Sequence, residues 1–124
     1  MTIEYDKTMT ISIQVKDWER TAKWYQQVLE FKLLYDVPDI GWCELETGVP
    51  GTTIGLSKVD SLQPVDVITP ILGVKDIDAA RTQLEARGVN FVGETTTIPG
   101  LVRLATFTDP EGNTLRLAQS LAGS

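Results

Sequence analysis

The feature that most constrains this chain is a repeat. Val15-Lys16-Asp17 recurs identically as Val74-Lys75-Asp76, each time between an alternating apolar run and a helical pattern. Repetition at this scale means one supersecondary unit used twice. In the first half, Met9, Ile11, Ile13 and Val15 share one face of an extended run, and Thr10, Ser12 and Gln14 share the other. That predicts a half-buried strand. Asp17 is placed to cap a helix over 18–29, where Trp18, Ala22, Tyr25 and Leu29 recur at helical spacing and Trp24 and Val28 widen the stripe. Strands are predicted at 31–35, 42–46 and 52–58, interrupted by Val37-Pro38-Asp39-Ile40-Gly41 and a turn over 47–51.

The order then restarts. A strand is predicted at 67–74, with Pro70 best suited to an edge or bulge. Asp76 caps a helix carrying Ile77, Ala80, Leu84 and Ala86, ended by Gly88. Strands follow at 89–92, 101–107 and 114–119, with a loop over 95–100. Thr53-Ile54-Gly55-Leu56 matches Thr114-Leu115-Arg116-Leu117. Before the last strand, Asp109-Pro110-Glu111-Gly112-Asn113 is a strong turn signal.

The predicted fold class is α+β: a single domain, 1–124, of two βαβββ modules, 9–58 and 67–119, joined by a linker over 59–66. A module of four strands and one helix buries only one sheet face. Two modules, within one chain or swapped between chains, can curve into a cup with the helices outside.

Composition excludes several functions. The chain has no histidine, which removes Ser-His and Cys-His nucleophile pairs and the commonest transition-metal ligand. A net charge of −6 repels phosphate backbones, so nucleic acid is not expected as a partner. Such a charge suits solubility and would also favour a cationic ligand. Cys43 is the single cysteine, so no internal disulfide forms and a reducing compartment is suited. No apolar stretch reaches the ~18 residues of a membrane span, and residues 1–8 do not read as a signal peptide. A cytoplasmic location is the expectation, with no membrane partner.

The motifs in order resemble the vicinal-oxygen-chelate superfamily, which includes glyoxalase I, bleomycin-resistance proteins and extradiol dioxygenases. The resemblance spans roughly 9–119. It rests on Val15-Lys16-Asp17, Trp24-Tyr25, Leu29-Glu30-Phe31, the run Gly41 to Gly48, Leu84-Glu85-Ala86-Arg87-Gly88-Val89 and the Asp109 turn. Glu30 replaces a common glycine and is read as a local change without functional weight. Metalloenzymes of the family take ligands from the first and last strand of each module. By that resemblance the positions fall on Thr10, Gly55, Thr69 and Arg116. None is a usual ligand for a divalent transition metal, so the chain is similar to the metal-free branch and no metal or other cofactor is expected.

Alternation nominates the residues lining the cup: Thr10, Ser12 and Gln14 on the first strand, Thr53 with Gly55 on the fourth, and Arg116 between Thr114 and Ala118 on the last. The third strands offer Trp42 with Glu44, and Leu104 with Thr106. A one-residue slip would instead offer Cys43 with Leu45, and Arg103 with Ala105. Thr69 joins the set through the resemblance. Arg116 either clamps an oxyanion with its planar fork or faces solvent paired with Glu44 or Glu111. Glu44 is either a general base or an ion-pair partner. Trp42 either stacks on a ligand ring or packs in the core or a dimer interface. Cys43 is read as a small buried hydrophobe, Trp18 and Trp24 as helix packing, and one of Trp24 and Tyr25 as turned toward a loop or partner.

Two functional readings follow. One is a metal-independent protein that binds and sequesters a small, partly aromatic molecule, such as an antibiotic. The other is a metal-independent lyase or isomerase using Glu44 and Arg116. A homodimer is expected, since family modules commonly pair across chains and a short chain leaves sheet edges and aromatic residues to cover.

Overall fold

The computed structural model describes residues 2–62 and 67–121. The chain divides into two compact units, Met9–Thr69, and Met1–Thr8 together with Pro70–Ser124. Among the described residues there are eight strands and two α-helices, in the order βαβββ twice over. That is the α+β class the repeat implies.

In the first unit run β1 (Tyr5–Val15, of which 9–15 belong here), α1 (Trp18–Val28), β2 (Lys32–Val37), a 3₁₀ turn (Pro38–Ile40), β3 (Trp42–Glu46) and β4 (Thr52–Lys58). The strands lie in the order β2-β3-β4-β1. β1 and β4 are parallel and the other neighbours antiparallel. Asp17 caps α1, its Oδ1 accepting the Arg20 N–H at 3.1 Å. The helix lays Trp18, Ala22 and Tyr25 against Ile11, Ile13, Val15, Cys43, Leu45, Ile54 and Leu56. Leu45 and Leu56 lose all solvent exposure, each worth roughly 1.5–3 kcal/mol. The Trp18 indole N–H donates to the Leu56 carbonyl at 3.2 Å. Trp24 does not pack as expected: it is 49% exposed, and its ring meets Tyr25 edge-on, at 5.2 Å between ring centroids. The reason is geometric, because neighbours on a helix point about 100° apart and Tyr25 takes the inward direction.

The second unit holds β5 (Ile68–Val74, from residue 70), α2 (Ile77–Ala86), β6 (Phe91–Ile98), β7 (Val102–Thr108) and β8 (Thr114–Ser120). Its order is β5-β8-β7-β6, with β5 and β8 parallel. Asp76 repeats the cap, accepting the Ala79 N–H at 3.1 Å. Val74, Ile77, Ala80, Ala105 and Leu117 form the core, backed by Leu72, Leu84, Phe91 and Phe107. Pro70 precedes the stretch Ile71–Gly73 that pairs with β8, so its missing N–H costs that ladder nothing.

The helix ends differ. α2 closes on Gly88 at φ +90°, with the Val89 N–H donating to the Leu84 carbonyl at 3.0 Å. After α1 the matching turn falls on Glu30, at φ +61°. Glu30 is therefore a backbone compromise, in a left-handed conformation that glycine adopts without penalty.

Two strands run well beyond the sequence reading. β6 runs on to Ile98, through the expected loop. A register shift between Val92 and Thr96, with Gly93 at φ +70°, absorbs the residues that look like a loop. Arg81 holds this bulge, its guanidinium donating to the Gly93 carbonyl at 2.9 Å and Thr95 Oγ at 3.1 Å. β1 starts four residues early, at Tyr5, past Lys7 at φ +70°. Of the expected linker, 63–66 lie outside the described residues.

Candidate functional site

The register question in β3 has a physical answer. Cys43 and Leu45 are 2% and 0% exposed in the first core. Pleating therefore puts Trp42 and Glu44 on the opposite face. That face also carries Thr10, Ser12 and Gln14 of β1, and Thr53 and Gly55 of β4. Thr10 pairs with Thr53, Ser12 with Gly55, and Glu44 with Gly55 across the ladder. Ser12 is buried, while Thr10, Gln14, Trp42, Glu44 and Thr53 are half-buried.

Glu44 is the centre of this face. Its Oε1 accepts the Tyr35 hydroxyl at 2.8 Å and the Trp42 indole N–H at 3.3 Å. Its Oε2 accepts the Thr53 hydroxyl at 3.0 Å, and Thr53 Oγ lies 2.8 Å from Thr10 Oγ. Burial, reinforced by the hydrogen bond to Glu44 and its charge, pushes the Tyr35 phenol up to about 12. Burial likewise pushes the Cys43 thiol up, so it is not an activated nucleophile.

Trp42 does a second thing. Its six-membered ring lies over Gly55, where a Cβ would come within 2.0 Å of the indole. Gly55 is thus required for space, not conformation.

On the second module, Ala105 and Leu117 go to the core, which turns Leu104, Thr106 and Arg116 to the opposite face. Arg116 stands between Ile71 of β5 and Thr106 of β7, and Leu104 faces Ala118. Thr69 is 4% exposed, two residues before Ile71. Arg103, offered by a slipped register, is on the helix side and grips Asp78 through both terminal nitrogens at 3.0 and 3.1 Å. Asp78 is held below the usual carboxylate range by that bond. The turn feeding β8 is tied by Asp109, which accepts the backbone N–H groups of Glu111 and Asn113 and the Asn113 side-chain amide at 2.8–2.9 Å.

Arg116 makes no hydrogen bond or ion pair among the described residues. Of the two carboxylates offered in the solvent-facing alternative, Glu111 belongs to the same module and makes no ion pair with it. Glu44 draws its donors from its own module, and Glu111 is exposed at the tip of the turn.

Sequence reasoning missed Tyr35. Alternation reads β2 as a simple strand, but the register shifts between Leu33 and Tyr35 and so sets Tyr35 opposite Glu44. Period-2 patterning carries no signal for such a bulge. The role of Gly55 was half legible: the sequence marked a missing side chain, not the indole that fills its place. Among the described residues no three His, Cys, Asp or Glu side chains gather as a metal site, and no helix is long and apolar enough to cross a membrane.

A family model described as Glyoxalase/Bleomycin resistance protein/Dioxygenase superfamily matches residues 7–117. Among solved structures, methylmalonyl-CoA epimerase from Mycobacterium tuberculosis is similar at 20% identity and TM-score 0.74, covering 97% of this chain and 92% of that one. NAD-dependent benzaldehyde dehydrogenase from Legionella pneumophila gives 15% and 0.72, covering 90% and 98%. A glyoxalase/bleomycin resistance protein/dioxygenase superfamily member from Vibrio splendidus 12B01 gives 16% and 0.65, covering 90% and 97%. Identities this low establish the fold alone, and the differing titles underline that fold does not fix activity. Among curated proteins none matches the sequence.

Proposed function

The chain belongs to the glyoxalase/bleomycin resistance protein/dioxygenase superfamily, and on that premise we propose that it binds a small organic molecule without a metal ion. The observation that carries this is Trp42 lying over Gly55. Position 55 is one of four where the family resemblance puts a metal ligand. Here it has no donor atom, and an indole occupies the space a donor would need. Thr10 and Thr69 offer neutral hydroxyls, and Arg116 is a cation that repels a metal ion. The set does not fit a divalent ion, and no step is routed through one.

On the first module, Thr10, Trp42, Glu44 and Thr53 are the binding residues, with Ser12 and Gln14 on the same strand face. On the second, Leu104, Thr106 and Arg116 are their counterparts, Arg116 as the contact for an oxyanion, and Thr69, the last residue of the first unit, joins the set through the family resemblance. An isomerase or lyase reading would use Glu44 as a proton acceptor. Three donors already occupy its oxygens, which favours an anchoring role. A homodimer in the cytoplasm completes the proposal.

Three measurements test it. Elemental analysis of untagged protein should find no stoichiometric transition metal; near-stoichiometric nickel, zinc, iron or manganese would overturn the reading. A thermal-shift screen of small aromatic metabolites and antibiotics should yield ligands that raise Tm equally with and without divalent metal. Light scattering should report a dimer at micromolar concentration.

A further inference from the structure

We infer that the first module's polar face is a subsite for a cationic hydrogen-bond donor, an amine carried beside a flat ring. This rests on the binding reading above and names the ligand chemistry of that face.

The argument is a count of protons. A carboxylate only accepts hydrogen bonds, and a hydroxyl has one hydrogen to give. Thr53 spends its hydrogen on Glu44 Oε2. The 2.8 Å contact between the two threonines must then run from Thr10 to Thr53. Tyr35 and Trp42 spend theirs on Oε1. Every polar hydrogen of these five side chains is directed inward. What remains outward is lone pairs: on Thr10 Oγ, on the Tyr35 oxygen, and the unused position of Glu44 Oε2. The network offers acceptors and one negative charge, and no donor.

Around Glu44 such a network disfavours a carboxylate or phosphate and favours an ammonium. The hydrogen bond from an ammonium to Oε2 is charge-assisted on both sides, which makes it stronger than one from a neutral hydroxyl. Trp42 adds a π-face beside the carboxylate, held in place by its own N–H on Oε1 and by Gly55 beneath it. The net charge of −6 draws cations toward the protein before contact. A metal ion is a poorer fit, since a single carboxylate anchors the face and the β4 position is filled.

The test uses three matched probes on the wild-type protein: benzylamine as its ammonium ion, benzyl alcohol and benzoate. Binding is followed by the indole N–H resonance of Trp42, identified by its loss in Trp42→Phe. Benzylammonium should bind about tenfold tighter than benzyl alcohol or more, and benzoate weakest. The Trp42 resonance should move with saturation. Glu44→Gln should remove the preference for benzylammonium over benzyl alcohol. Because the ranking is read on wild type, it decides the matter even if the variant folds poorly. Equal binding of benzyl alcohol at Trp42 would sink the cationic subsite and leave the binding reading standing. Preference for benzoate, an unmoved Trp42 resonance, or no binding by any probe would also overturn the subsite. If the wider thermal-shift screen is empty as well, the binding reading falls with it.

Discussion

At matched places in the repeat, β4 carries Gly55 and β8 carries Arg116. Around Gly55 the first module has closed in: an indole covers the glycine, and Tyr35, Trp42 and Thr53 converge on one carboxylate. Around Arg116 the second module has stayed open, with a guanidinium that takes no partner among the described residues. The helix side shows no such divergence. Asp17 and Asp76 cap their helices at the same 3.1 Å, and each core buries a β4- or β8-strand leucine, Leu56 and Leu117. Duplication kept what each module needs to fold and released the opposite face.

The sharpest way to break this comparison is to put valine at both matched positions. Gly55→Val must displace the Trp42 ring and its hydrogen bond to Glu44. We expect a loss of about 3 kcal/mol in urea unfolding, from overpacking and a stranded acceptor. In a Trp42→Ala background the same change should cost about 1 kcal/mol or less. Arg116→Val should stay within about 0.5 kcal/mol of wild type, since no interaction is lost. Equal costs at 55 and 116 would erase the distinction between a closed face and an open one.

Next in size is the carboxylate itself. Glu44→Ala leaves three donors without their acceptor and should cost about 1–3 kcal/mol by the same measurement. The half-burial of the group puts the effect toward the lower end.

The helix ends allow a reciprocal exchange. Glu30→Gly removes a left-handed strain of roughly 1–2 kcal/mol but loosens the unfolded chain, for a net gain of about 0.5–1 kcal/mol. Gly88→Ala should lose about 1 kcal/mol. A destabilised Glu30→Gly protein would mean that the Glu30 side chain earns its place elsewhere.

The smallest effect is alkaline. The Tyr35 phenol keeps its proton to about 12, above the ordinary tyrosine value of 10.0. The folded state then binds more protons than the unfolded state over that window, so stability is intact below pH 10 and declines as pH rises toward 12. Spectrophotometric titration should show one of the three tyrosines ionising late, and Tyr35→Phe should abolish the late phase. A titration with no late phase would refute it.

Most of the frame was legible because it is written locally. The capping aspartates, the 42–46 and 52–58 strands and the alternating leucines each carry their own signal, and β3 and β4 fall where the alternation puts them. The choice of Trp42 and Glu44 over Cys43 and Leu45 required the burial of Cys43, which a short apolar run does not reveal. Tyr35 reached Glu44 through a register shift, and β6 passed through a stretch that reads as loop. Both departures are bulges, which interrupt the period on which strand reading depends. The lack of a partner for Arg116 among the described residues was illegible for another reason: partners are a property of three dimensions, and Glu44 takes its three donors from its own module.

Those two bulges fall on β2 and β6, the outermost strand in each module's order. An outermost strand has one row of unpaired amides, and a straight one invites a neighbour's strand to add on. β2 even presents Leu33 and Leu34, 43% and 50% exposed. The irregular register offers an incoming strand no continuous ladder. On β6 the bulge is fastened from α2, through Arg81, whose guanidinium also sits 4.6 Å over the Phe91 ring. The same kink that misled strand reading thus denies a neighbouring strand a straight edge to pair with.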